Sequence, residues 1–206
     1  MTNTERTEER TRSRRSKLIL LAAIVVLSGL ALAGWTQTWF SVVIAGEAGE
    51  HATAVDGQTA APATMALALS SLALAAALAI AGPVFRVVLG ILSAVIGGCI
   101  ALSAGLALGD PVSASRAAVT AVTGIAGDES IAGIVERADA SAWPVVTLIT
   151  GIAIIAAGVA VCFTASRWPV ASRRYRATRF APAGEQDDRD AVDTWDDLSH
   201  GDDPTR

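Results

Sequence analysis

A chain of 206 residues with 52% hydrophobic residues, only 17% charged residues and a mean hydropathy of +0.47 departs from soluble domains, in which about a quarter of residues are charged. Its charges are segregated as well: Lys and Arg crowd the two ends, and four long stretches between them carry none, which excludes a single water-facing globule and points to a fold built in lipid. The formal net charge of −4 says little about partners, because much of the acid lies in the C-terminal tail, and no nucleic-acid partner is expected.

The chain opens with a basic segment, 1–17, holding Arg6, Arg10, Arg12, Arg14, Arg15 and Lys17. The first apolar run follows, Leu18 to Gly34, closed by Trp35, for a span of about 18–35. A basic start, an apolar run and Ala31-Leu32-Ala33 also resemble a secretory signal with a small-residue cleavage site. The run is longer than the roughly 7–15 apolar residues of a signal, and Trp35 reads as an interfacial anchor, so a retained span is the expectation.

The connection 36–61 comes next. Aromatic and β-branched residues from Trp35 to Ile44, the Gly-rich Gly46-Glu47-Ala48-Gly49-Glu50 and then His51 to Gly57 predict a β-hairpin. Trp35, Trp39 and Phe40, with Trp143 further along, are expected as an aromatic belt at the membrane–water boundary; a platform for a ligand is the sharper alternative.

The second span covers 62–81 and the third 87–108, joined by the tight connection Gly82-Pro83-Val84-Phe85-Arg86. The Ala-rich second span is the weakest inserter of the four. The third carries small residues at every fourth position, Ser93, Gly97, Ala101, Gly105 and Gly109. These predict a ridge where another backbone approaches closely, inside the monomer or in a homo-oligomer.

The longer connection 109–142 has apolar stripes at Ala118, Val119, Val122, Ile125 and Ala126, and at Ile131, Ile134, Val135 and Ala138. Short amphipathic helices are expected, the second capped by Asp128, with a strand at Val119–Thr123 as the alternative. Trp143-Pro144 opens the fourth span, 143–166, with Pro where its missing N–H costs nothing. None of the four spans as bounded here contains an ionisable residue.

The segment 167–206 starts basic, with Arg167, Arg173, Arg174, Arg176 and Arg179, and turns acidic after Phe180. Its later part cannot bury enough surface to offset ordering entropy and is expected to be disordered. Trp195 and Leu198 stand out there as a candidate docking motif for a cytoplasmic protein; a merely solvating tail is the alternative. Basic residues flank the first and fourth spans, whereas the two long connections hold only Arg116 and Arg137 beside eight acids. That asymmetry predicts both termini in the cytoplasm and the connections 36–61 and 109–142 outside.

The expected fold is therefore an all-α membrane protein: a four-helix transmembrane bundle over 18–166, a small extracytoplasmic β-hairpin and amphipathic-helix cap, and a disordered acidic tail. No Gly-rich phosphate loop, His/Cys metal spacing or nucleophile elbow is present. His51 and His200 fall on opposite sides of the membrane under this topology. Cys99 and Cys162 lie about 18 and 6 Å from the inner ends of their helices at helical rise, too far apart in depth for a disulfide, and read as small packing residues. No enzyme, catalytic residue, metal or cofactor is expected.

Several pieces together resemble the Trp biosynthesis-associated (tryptophan-operon-linked) membrane proteins of actinobacteria. They are the basic start leading to Trp35 and Trp39, Gly57 to Pro62, Trp143-Pro144, Ser172-Arg173-Arg174-Tyr175, and above all the tail from Trp195-Asp196-Asp197-Leu198 to Asp203-Pro204-Thr205. The resemblance implies a genetic association with tryptophan synthesis and carries no catalytic residue across. The expectation is a non-catalytic accessory or partner-binding membrane protein. The alternative is a small transporter or export component for tryptophan or a related indole compound.

Overall fold

The computed structural model describes residues 3–45 and 51–164. In chain order the elements are α1 (Asn3–Trp35), β1 (Thr38–Ile44), β2 (His51–Asp56), α2 (Gly57–Ala60), α3 (Ala63–Ile80), α4 (Pro83–Gly109), α5 (Pro111–Ala114), α6 (Arg116–Thr123), α7 (Asp128–Ile134), β3 (Val135–Ala140) and α8 (Trp143–Thr164). Four helices are long and apolar enough to cross a membrane: the Arg15–Trp35 part of α1, and α3, α4 and α8. With no water in hydrocarbon, a helix is the way such segments satisfy their own backbone.

Why these helices bundle can be read from which side chains they bury. Along α4 the buried positions include Gly90, Ser93, Gly97, Ile100, Ala104 and Ala107, alternating three and four apart, with Arg86 and Ile96 beside them. Along α8 they include Pro144, Thr147, Gly151, Ile154, Gly158 and Val161, with the same alternation. On α3, Thr64, Ala68, Ser71, Ala75 and Leu78 repeat it. A seven-residue repeat keeps one seam facing its neighbour at a shallow crossing, as in coiled coils and four-helix bundles. Each long helix packs on two others, α1 on α3 and α8, and α4 on α3 and α8, so the four close a ring. Ile24, Leu74, Leu78, Ile96, Ile100, Ile154 and Val161 fill its interior. The faces turned outward carry Ile91, Leu92, Val95, Leu102 and Ile152, apolar and exposed, as a lipid-facing surface requires.

The link between α3 and α4 is shorter than the sequence suggested. Only Ala81 and Gly82 separate the helices, and Pro83 sits at the start of α4, where its fixed φ suits helix entry. Arg86, expected in the connection, is thus inside α4 and only 3% exposed. Nearby, Lys17 Nζ donates to the Ala79 carbonyl at 2.7 Å, placing a cation at the carbonyl-rich end of α3.

At the opposite end the two long connections fold together as a cap. The expected hairpin forms, with Phe40 facing Val55 and Ile44 facing His51, but the sheet has three strands in the order β2-β1-β3, all antiparallel. The third strand replaces the expected second amphipathic helix past Ile134: Val135 to Ala140 pair with β1, Ala138 opposite Val42 and Ala140 opposite Phe40. The helical stripe is real only as far as Ile134. Beyond it, hydrogen bonds to β1 outweigh a weak local preference. Asp128 is not the cap of α7. Gly127, at φ 107°, occupies that position, and the Asp128 carboxylate turns to Arg116. Val119–Thr123 is helical, within α6.

Trp39 and Phe40 depart from the expected belt: both are fully buried, packed edge to face at 6.4 Å between ring centroids. They anchor a second core with Val42, Val55, Ala104, Ala107, Val119 and Ile131, which seats the sheet on the ends of the helices. The Trp39 indole N–H donates to the Gly34 carbonyl at 2.8 Å, satisfying an acceptor in the last turn of α1. Ser141 closes the other side, its hydroxyl donating to the Thr38 carbonyl and its N–H to the Trp39 carbonyl.

Candidate functional site

Polar chemistry concentrates in the cap. After α4, Asp110 accepts a hydrogen bond from the Ser113 N–H at 3.0 Å, and Pro111 starts the short helix α5. Ser115, buried, donates to the Pro111 carbonyl and hands the chain to α6. α6 buries Val119 beneath it and ends at Gly124, whose φ of 71° turns the chain towards Gly127 and α7. This arrangement sets α6 beside α2 and leaves an open groove of about 580 Å³ between them. Thr59, Ser113, Arg116 and Thr120 supply its polar groups, and alanines the rest of its lining.

Arg116 is the centre of this site. Its Nε lies 2.9 Å from Asp128 Oδ1, and one Nη donates to Ser113 Oγ at 2.8 Å. Both partners of the ion pair are substantially exposed, at 44% and 72%. An exposed pair of this kind adds only about 0–1 kcal/mol to stability. The only sequence signal for it was one of two basic residues in a mostly acidic connection; its partners Ser113 and Asp128 were out of reach because they come from two other elements, α5 and α7.

The small residues of α4 divide along the helix. Ser93 and Gly97 are buried, Ala101 and Gly105 partly so, and Gly109 is exposed with open space where a Cβ would stand. A four-residue step overshoots one helical turn by about 40°, so a ridge drawn at that spacing drifts off a straight contact. Ser93, Gly97 and Ala101 do form the close seam, a Cβ on Gly158 standing 3.2 Å from Ser93 Cβ and one on Gly151 standing 2.6 Å from Ala101 N. Gly105 and Gly109 leave it, and a seven-residue repeat of glycines completes it. Gly97 meets Gly151, and Gly90 meets Gly158. Gly90, Gly151 and Gly158 were missed, although two glycines seven apart on each of two apolar runs is a legible signal.

Trp35 and Trp143 are half-buried at the cap end of α1 and α8. The Trp35 indole N–H is buried without a hydrogen-bond partner, as are the hydroxyls of Thr64 and Thr147 at the same end of the bundle. Within the bundle, the Ser28 hydroxyl bridges to Ser71 Oγ at 2.8 Å and to the Ile24 carbonyl at 2.7 Å. Cys99 is exposed and Cys162 half-buried, and both are free. Among the described residues no three His, Cys, Asp or Glu side chains stand together as a metal site. The docking motif Trp195 and Leu198 lies outside the described residues.

Against known proteins, the family model described as tryptophan-associated transmembrane protein matches residues 17–205. Neither the curated proteins nor the solved structures hold a significant match to the chain.

Proposed function

We propose that this chain, which belongs to the tryptophan-associated transmembrane protein family, is a non-catalytic accessory membrane protein of tryptophan metabolism that engages a cytoplasmic partner through its tail. The supporting observation is the filled bundle interior. Ile24, Leu74, Leu78, Ile100, Ile154 and Val161 are buried together across its middle, and Gly97 and Gly151 bring two of the helix backbones into direct contact. A chain packed in this way serves as a platform for its ends, where its charges lie.

The basic flanks favour both termini on the cytoplasmic side of the plasma membrane, with the cap outside. The tail then offers Trp195 and Leu198, apolar anchors in an acidic setting, to a partner in the cytoplasm.

The test is a deletion strain complemented with the full chain or with Trp195→Ala/Leu198→Ala. The accessory role expects a tryptophan-biosynthetic enzyme to co-purify with the full chain and not with the variant, while movement of labelled tryptophan across the membrane is unchanged by deletion. Altered uptake or efflux on deletion, with enzyme levels normal and the tail variant fully competent, establishes the transport alternative instead.

A further inference from the structure

We propose that the cap groove between α2 and α6 binds a zwitterionic α-amino acid, its carboxylate on Arg116 and its ammonium on Asp128. This goes beyond the accessory role, and neither the tail variant nor a transport assay bears on it.

The inference starts from the guanidinium. Arg carries five N–H donors in a planar fork, and here Asp128 and Ser113 engage Nε and one Nη hydrogen. Asp128 and Ser113 thereby fix the plane of the fork, so its remaining edge is pre-oriented for a carboxylate, the geometry at which Arg excels. Asp128 stands outside the groove's lining, joined to it through Arg116; it uses Oδ1 towards Arg116 and is 72% exposed, leaving acceptor capacity for an ammonium at the groove's rim.

A donor fork and a carboxylate side by side match the one common class of small molecule that carries both charges on a single carbon. Either charge alone in a ligand meets one attractive and one repulsive neighbour, which selects against simple acids and simple amines. The walls add what such a ligand still needs. The hydroxyls of Thr59 and Thr120 lie along the groove, and Ala60, Ala117 and Ala121 present small apolar surfaces that leave room for a side chain. About 580 Å³ is within the size range of small-molecule sites.

The experiment is calorimetric titration of the full chain in lipid nanodiscs with each of the twenty standard L-amino acids, tryptophan among them. Tryptamine, which lacks the carboxylate, and indole-3-propionate, which lacks the ammonium, serve as singly charged probes. The expected result is saturable binding of at least one amino acid, with both singly charged probes weaker by roughly tenfold or more, the scale of one lost charge-assisted hydrogen bond. Arg116→Gln should weaken binding by a similar factor. Ala117→Leu, which fills the groove and leaves the ion pair intact, should abolish it at an unchanged melting temperature. The proposal is overturned if no amino acid binds the unaltered chain, if either singly charged probe binds as well as the zwitterion, or if both variants bind like the parent.

Discussion

Gly97 and Gly151 face each other so closely that a methyl group built on either would lie 2.8 Å from the other's carbonyl oxygen. The same relationship recurs seven residues along each helix. There a methyl on Gly90 would stand 3.0 Å from the Gly158 carbonyl, and one on Gly158 would stand 2.6 Å from that of Gly90. Two antiparallel helices are thus in backbone contact at two levels, a density of packing that lipid tails cannot reproduce.

Enlarging a seam residue should therefore force α4 and α8 apart. Gly97→Leu and Gly151→Leu are each expected to destabilise the protein by about 1–3 kcal/mol, the usual cost of overpacking. Val95→Leu, on the exposed face of α4, should leave the melting temperature in detergent unchanged. A Gly97→Leu protein that melts like Val95→Leu sinks this account of the seam.

The junction between bundle and cap makes a second prediction. A methyl on Gly57 would fall 2.6 Å from Trp39 Nε1 and 2.8 Å from the Trp35 carbonyl oxygen. Gly57→Ala should thus cost about 1–3 kcal/mol by displacing backbone and indole together. Trp39→Phe removes the hydrogen bond to the Gly34 carbonyl, which keeps a second donor in the Gln37 N–H, and leaves a cavity at a fully buried site, so about 2–3 kcal/mol is expected. In the double variant the smaller ring relieves part of the Gly57→Ala clash, and a double-mutant cycle should show less than additive loss. Additive losses mean that the two residues do not meet.

Ser28 and Ser71 supply the third. Their hydrogen bond joins α1 to α3 in the buried interior, where such contacts average about 0.6 kcal/mol and reach about 1.7. Ser28 also bonds to the carbonyl of its own helix at Ile24, so Ser71→Ala leaves it satisfied. Each single Ala variant and the pair should melt slightly below the parent, with a coupling energy near the average. A coupling of several kcal/mol contradicts this, because it requires Ser28 to have no alternative acceptor.

How far the sequence carried depended on the range of the interaction that decides each feature. Hydrophobic run length is local, so the four spans and the hairpin from Trp39 to Val55 could be read directly. β3 could not: Val135-Glu136-Arg137-Ala138-Asp139-Ala140 is charged and short, and becomes a strand because β1 lies beside it. The charge on Arg86 moved the expected start of the third span to Val87, although Pro83 three residues earlier is itself a helix-start signal. Trp39 reads as a belt aromatic from its place beyond a span. Its burial depends on Gly57, a residue eighteen positions on with no side chain to hold the indole off. The groove at Arg116 was least legible, since Thr59, Ser113 and Asp128 converge only through the fold.

The proposed orientation, with the cap outside the membrane and both termini inside, is tested most directly by impermeant thiol labelling of intact cells. With Cys99 and Cys162 replaced by Ala, single cysteines are introduced as Glu129→Cys at the exposed start of α7, Arg10→Cys before the first span, and Asp190→Cys in the tail. That orientation predicts labelling of Glu129→Cys on intact cells, and of the other two only after the membrane is permeabilised. Labelling of Arg10→Cys or Asp190→Cys from outside, or protection of Glu129→Cys until permeabilisation, contradicts it.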